Sequence, residues 1–295
     1  MRSETTTNPE RAADNVTTES VASRDGTTIG YRRLGQGPAL VVVCGAMVSS
    51  KSHLKLAHTL ADDFTVYLPD RRGRGLSGPT GNDYHMQKEI EDLDAMLTTS
   101  GAHNVFGISS GGLISLQTSL ARPTIHKLAL YEPALLVDDS APGFSTTRLD
   151  HEIANGKVAA ALVTGMKESK MGPPILNVLP RVLVERLTDL AMKSEEKKAA
   201  PDDVTMRMFA PTMRNDFQLI HEMQGALESF ASIRADVLLL GGSKSPAYLK
   251  AALDSLTRVV PHATRIDLAG LDHGGATDRD GKPEAVAREL RRFFT

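Results

Sequence analysis

The stretch Gly107-Ile108-Ser109-Ser110-Gly111-Gly112 limits the possible folds more than any other part of this 295-residue chain. Ahead of it runs His103-Asn104-Val105-Phe106, short, partly apolar and suited to a strand. After it runs Leu113-Ile114-Ser115-Leu116-Gln117-Thr118-Ser119-Leu120, an apolar helical pattern. The hexapeptide therefore sits where a strand turns sharply into a helix, the setting that a G-x-S-x-G turn around a reactive serine requires. Such a turn strains its central residue and lifts the Ser109 hydroxyl clear of the backbone. Side chains at positions 107 and 111 would collide with the neighbouring strand or helix, and Gly112 lets the helix pack close to the sheet. The Ser110 N–H, with the helix N-terminus, points at any oxyanion forming on an acyl group attached to Ser109. Alone, the motif is weak in a chain with 24 glycines, and its weight comes from what surrounds it.

Strand and helix signals alternate on either side of it. Val21 to Leu34 reads as a hairpin turning at Arg24-Asp25-Gly26-Thr27. Ala39-Leu40-Val41-Val42-Val43 is a continuous β-branched run, the mark of a strand buried on both faces. A helix with Leu54, Leu56, Ala57 and Leu60 follows, then a strand from Phe64 to Leu68. Met86, Ile90, Leu93 and Leu97 share one helix face, and Gly101 ends that helix. Lys127 to Tyr131 is a further buried-type strand. This alternation calls for right-handed crossovers and a mostly parallel α/β sheet with helices on both faces. From about 136 to 229 the pattern turns helical and Met-rich, broken by Gly172-Pro173-Pro174, Pro180 and the run Ser194 to Lys198. Strand signal returns at Ala235 to Leu240 and at Ala263 to Leu268, with a helix from near Pro246 between them and a last helix opening on Pro283. The expected organisation is a disordered tail over 1–20, a core over 21–135 and 230–295, and an inserted helical cap over 136–229.

Composition narrows the function. Lys plus Arg (34) nearly balances Asp plus Glu (36), so no basic surplus speaks for nucleic acid. No apolar run approaches the roughly 18 residues of a membrane span. The N-terminal stretch has no apolar segment of the secretory kind, and the single cysteine, Cys44, permits no internal disulfide; a cytoplasmic protein is the default expectation. No H-E-x-x-H, C-x-x-C or phosphate-binding loop occurs, so neither metal nor nucleotide cofactor is expected, and the partner expected is a small-molecule substrate. The oligomeric state is not legible.

Three motifs together make the chain resemble the α/β-hydrolase fold family. They are the Gly107–Gly112 elbow; Asp70, Arg72, Gly73, Gly75 and Ser77, similar to the family's D-x-R-G-x-G-x-S loop; and Gly270-Leu271-Asp272-His273, similar to its late histidine loop. The resemblance covers roughly 23–135 and 230–295, with the helical insertion where the family carries its cap.

That resemblance implies a nucleophile, base and acid in chain order. A serine hydroxyl needs a base within reach, and His273 is favoured because its loop turns back over the C-terminal edge of the sheet, where ligands sit. His53, His58, His85, His103, His126, His151, His221 and His262 read as surface or capping residues. The acid often follows the strand after the cap, but Ser245 stands there, and serine carries no charge. The family's second solution puts the acid after the strand that follows the elbow, here Glu132 in Leu130-Tyr131-Glu132-Pro133. Asp272 is expected to point away. The oxyanion donors implied are the amides of Ala46 and Ser110, although Cys44-Gly45 replaces the usual His-Gly, and Met47 is expected beside the substrate. Cys44 reads as a buried apolar residue. Arg71, Arg72 and Arg74 read as loop ion pairs with Asp70 and Glu residues, and the methionines of the insertion as packing. The function implied is hydrolysis of an ester or lactone of a small to medium apolar molecule. Members with an acid at this second position include lactone-cleaving ones. The same groups could instead cleave carbon–carbon bonds, form peracids or transfer acyl groups, and some relatives of the fold bind ligands or cyclise without hydrolysis.

Overall fold

A computed structural model describes residues 16–138, 142–171, 178–279 and 281–295. Eight strands form one sheet: β1 (Thr17–Ala22), β2 (Thr28–Leu34), β3 (Ala39–Val43), β4 (Thr65–Pro69), β5 (Asn104–Ile108), β6 (Lys127–Tyr131), β7 (Asp236–Gly242) and β8 (Ala263–Leu268). Their spatial order is β1-β2-β4-β3-β5-β6-β7-β8. The first two pairings are antiparallel and the other five parallel. β5, which runs into Ser109, lies in the middle.

The central strands carry continuous apolar runs after their first residue because both faces are covered. On β3, Val41 and Val43 enter the core on one face, and Leu40 and Val42 enter the core on the other. β7 divides the same way, with Val237 and Leu239 on the first face and Leu238 and Leu240 on the second. Helices α2 (Met86–Ser100), α3 (Ser110–Ala121) and α9 (Ala247–Val259) cover the first face; α1 (Leu54–Leu60) and α10 (Pro283–Phe294) cover the second. α3 is buried nearly all round. It approaches β3 so closely that a Cβ on Gly111 would fall on the carbonyls of Val43 and Cys44.

Between β6 and β7 lie α4 (Thr147–Ala154), α5 (Val158–Glu168), α6 (Arg181–Glu196), α7 (Met206–Phe209) and α8 (Met213–Glu222). The expected break at Gly172-Pro173-Pro174 lies outside the described residues. Residues 1–15 of the expected tail do too, but its last part is not a tail: Thr17–Ala22 pairs with β2 as an edge strand. Tyr31 donates to Glu19 Oε2 at 3.0 Å, and Arg33 pairs with Glu19 Oε1 at 3.0 Å. The strand is exposed, so it carries no hydrophobic signal. Among the described residues no helix is long and apolar enough to cross a membrane.

Phe106 sits fully buried on β5, two residues before the turn. Phe106→Ala should lower unfolding free energy by about 3–5 kcal/mol in urea titration, the sum of lost transfer energy and a residual cavity. A loss below about 1 kcal/mol would mean that this face of β5 is not the packed centre.

Candidate active site

Three side chains from distant parts of the chain meet at the C-terminal edge of the sheet. Ser109 joins β5 to α3 at φ 53° and ψ −120°, a conformation that a non-glycine residue adopts only when its surroundings enforce it. Its N–H donates to the Tyr131 carbonyl at 3.0 Å, and its own carbonyl accepts from Gly112 N at 2.9 Å. The hydroxyl oxygen lies 3.0 Å from His273 Nε2, and His273 Nδ1 lies 2.8 Å from Glu132 Oε2. The other Glu132 oxygen accepts from Gly242 N–H at 2.6 Å. Glu132 is completely buried, so its two oxygens are matched to two donors where an unmatched carboxylate would be costly. With the carboxylate on Nδ1–H, the imidazole presents a bare Nε2 to the serine.

Local backbone explains this convergence. Glu132 also has positive φ, 45°, and its N–H is held by the Leu240 carbonyl at 3.0 Å. The Tyr131 hydroxyl donates to the Asp272 carbonyl at 2.6 Å and pins the loop that carries His273. The Asp272 carboxylate caps that loop at Gly274 N–H, 3.0 Å away, rather than facing the histidine. Ser245, three residues after β7, is buried, and its hydroxyl has no partner among the described residues.

Ala46 and Ser110 line the same cavity as Ser109. Gly45 lies so close that a Cβ there would come within 2.9 Å of Ser109 Cβ. Met47, at φ 56°, follows this approach. Cys44 is buried, and burial pushes its thiol up to about 12. A cavity of about 250 Å³ opens on Ser109 and His273. Its walls include Met47, Phe144, Met166, Met213, Phe217, Ile220 and Tyr248. Met213, Phe217 and Ile220 fall at i, i+4 and i+7 on α8, so one face of that helix roofs the cavity. Burial, with the Glu132 charge, pushes the Tyr248 phenol up and keeps it un-ionised.

Two sequence readings need correction. His53 is not a surface residue, although it stands at the N-cap position of α1, without a side-chain capping bond. It is fully buried, lines the cavity, and its Nδ1 is 3.0 Å from the Ala276 carbonyl. Burial holds it below the usual histidine range, so it is neutral near pH 7. The three loop arginines are buried, and Asp70 is not their partner: its carboxylate accepts from Ser50 N at 2.5 Å and Leu76 N at 2.9 Å. Arg72 pairs with Asp92 and Asp25, and Arg71 with Glu89. Arg71 and Arg74 also both reach Asp216 on α8, a contact between positions more than 140 apart that no local pattern announces.

This sheet order, with a serine on the sharp turn after the central strand and a histidine on the last loop, is that of an α/β hydrolase. The model of the serine aminopeptidase S33 family matches residues 37–280, and the chain belongs to that family of hydrolases. An α/β hydrolase from Sphaerobacter thermophilus is similar over 94% of this chain and all of its own, at 34% identity and a TM-score of 0.77. The uncharacterized hydrolase YraK of Bacillus subtilis is 31% identical over 38% of this chain and 43% of its own length. The pimeloyl-[acyl-carrier protein] methyl ester esterase of Aeromonas salmonicida is 30% identical over 40% and 47%. The chain thus spans less than half the length of these two relatives.

Because the Cys44 thiol is buried and held near 12, the native protein should resist alkylation by iodoacetamide at pH 8, while the urea-unfolded chain reacts as an ordinary thiol. Rapid labelling of the native protein, read by intact mass, would contradict this burial.

Proposed function

We propose that the protein hydrolyses an ester or lactone of a small to medium apolar molecule through an acyl-enzyme on Ser109. The observation that carries this reading is the unbroken line from Ser109 Oγ through His273 to buried Glu132, opening on an apolar cavity. Ser109 Oγ attacks the acyl carbon as His273 Nε2 takes its proton. Glu132 faces the imidazolium and keeps the ring oriented. The amides of Ala46 and Ser110 hold the oxyanion of the tetrahedral intermediate. Its collapse breaks the bond to the alcohol oxygen, which takes the proton from His273. A water then attacks the acyl-enzyme by the same route and returns the free serine and the acid. With a lactone, the departing alcohol stays attached to the acyl group.

The cavity supports a small substrate: about 250 Å³ lies below the range of about 300–1,000 Å³ usual for drug-sized ligands. Its walls of methionine, phenylalanine and isoleucine, Met47 among them, favour an apolar chain or ring. Supporting the ester reading, a relative is named as a methyl ester esterase. The acid on the strand after the elbow is what tilts the reading towards lactones as well.

Intact mass after exposure to a fluorophosphonate tests the nucleophile. One adduct is expected on the native protein and none on Ser109→Ala; no adduct on either would favour a ligand-binding role. With an ester and lactone panel, Glu132→Gln should lower kcat by about 10³–10⁴-fold, since the imidazolium loses its counter-charge. A near-normal rate would move the acid elsewhere.

A further inference from the structure

The two amides assigned to the oxyanion are anchored by a charge cluster whose centre lies on the inserted helices. Asp216 of α8 is 1% exposed. Its Oδ1 accepts from the Ser110 hydroxyl at 2.8 Å and from Arg71 Nη1 at 2.6 Å; its Oδ2 pairs with Arg74 Nη2. The other end of the Arg74 fork, Nη1, donates to the Gly45 carbonyl at 2.7 Å, and its Nε donates to Thr212 Oγ1 at 3.1 Å. One guanidinium therefore ties the cap to the peptide unit between Gly45 and Ala46. That unit is planar and trans, so its carbonyl and its N–H point in opposite directions. Holding the Gly45 carbonyl fixes the direction of the Ala46 N–H. The same carboxylate holds the Ser110 side chain, whose own N–H is the second donor.

Burial opposes the charge on Asp216, but Arg74 and Arg71, with hydrogen bonds from Ser110 and Arg71, outweigh it and hold the carboxyl below its usual range. The cluster is thus ionised at neutral pH. Donors aimed before the reaction need no reorganisation as the oxyanion forms, which is where such groups gain their effect.

We propose that Asp216 is a positioning residue for the oxyanion hole, acting directly on Ser110 and through Arg74 on the Gly45–Ala46 peptide, so that the hole is complete only with the cap seated. This rests on the reading of Ser109 as the nucleophile. Asp216 does not touch the substrate's reacting atoms; it sets the aim of the groups that do. A cluster that merely glued the cap to the core would affect substrate and transition state alike, whereas a positioning role weakens the transition state selectively.

The test uses Asp216→Asn and Arg74→Lys in the full chain, each checked for a native circular dichroism spectrum and a cooperative melt. Asparagine keeps the size but leaves Arg74 without its counter-charge. Lysine keeps the charge but lacks the fork that spans carbonyl and carboxylate. The readouts are kcat and KM for an ester, and inhibition by a trifluoromethyl ketone, which becomes tetrahedral on the serine, beside its methyl ketone, which remains a ground-state mimic. Each variant should lose about 10–100-fold in kcat with KM within about threefold. Trifluoromethyl ketone affinity should fall in parallel, and methyl ketone affinity should hold. Rates and affinities within about twofold of the native protein, or equal losses for both ketones, would overturn the proposal. Should either variant fail to fold, Ser110→Ala, which deletes one hydroxyl and keeps the amide, carries the same expectation at about three- to tenfold, and an unchanged rate there overturns it. Ser109→Ala is assayed alongside: a near-native rate there would remove the underlying reading, whereas a Ser109→Ala slowed by orders of magnitude beside a fully active Asp216→Asn removes this inference alone.

Discussion

The sharp turn at Ser109 is the constraint on which the rest of the structure depends. A positive φ at a serine costs on the order of 1–3 kcal/mol, and it survives because several independent contacts require it. The Tyr131 carbonyl takes the Ser109 N–H, Gly112 N–H returns to the Ser109 carbonyl, and α3 is packed on β3 with no room for a side chain at Gly111. Burial of a helix covered nearly all round against a doubly covered sheet stabilises that arrangement by more than the strain costs. Strain recurs nearby: Met47 and Glu132 also have positive φ, so three consecutive strand ends around the serine are bent to bring side chains and amides together.

Electrostatics makes the second demand. Two carboxylates, Glu132 and Asp216, are buried within reach of this turn. An unpaired charge in such surroundings costs several kcal/mol, so each must be fully matched. Glu132 is matched within the core, by a backbone amide and the histidine. Asp216 is matched across the boundary between core and inserted helices, by two arginines and a serine. Removing Asp216 would leave the buried Arg74 guanidinium without its carboxylate partner, at about 3–5 kcal/mol, which is why the inserted helices and the core cannot be treated as separable layers.

How much was legible in the sequence follows from the range of each interaction. The central strands announced themselves because Leu40 to Val43 and Val237 to Leu240 are buried on both faces and so read as unbroken apolar runs. The turn announced itself because its glycines are forced by local contacts. The hairpin turn at Arg24 to Thr27 was readable too, but the full reach of its first arm, β1, was not, since an exposed edge strand carries no hydrophobic signal. The partner of Arg71 and Arg74 was not readable either, because Asp216 is an ordinary residue of an amphipathic helix until the fold brings it over the elbow. His53 gave no sign because burial of a lone histidine depends on packing beneath the Ala276 loop, far away in the chain. The loop that carries His273 was readable from Gly270 and the strand before it; its pinning by the Tyr131 hydroxyl was not.

The central claim is that one serine, activated by a histidine that a buried carboxylate orients and faced by fixed amides, carries the acyl group. Rapid acid quenching of the native protein with a short-chain lactone, followed by intact mass and peptide mapping, tests it most directly. The expected result is a transient species heavier by the whole mass of the lactone, with the modification on the peptide containing Ser109. Turnover without any covalent species, under conditions where deacylation is slowed, or a modification on another residue would contradict it.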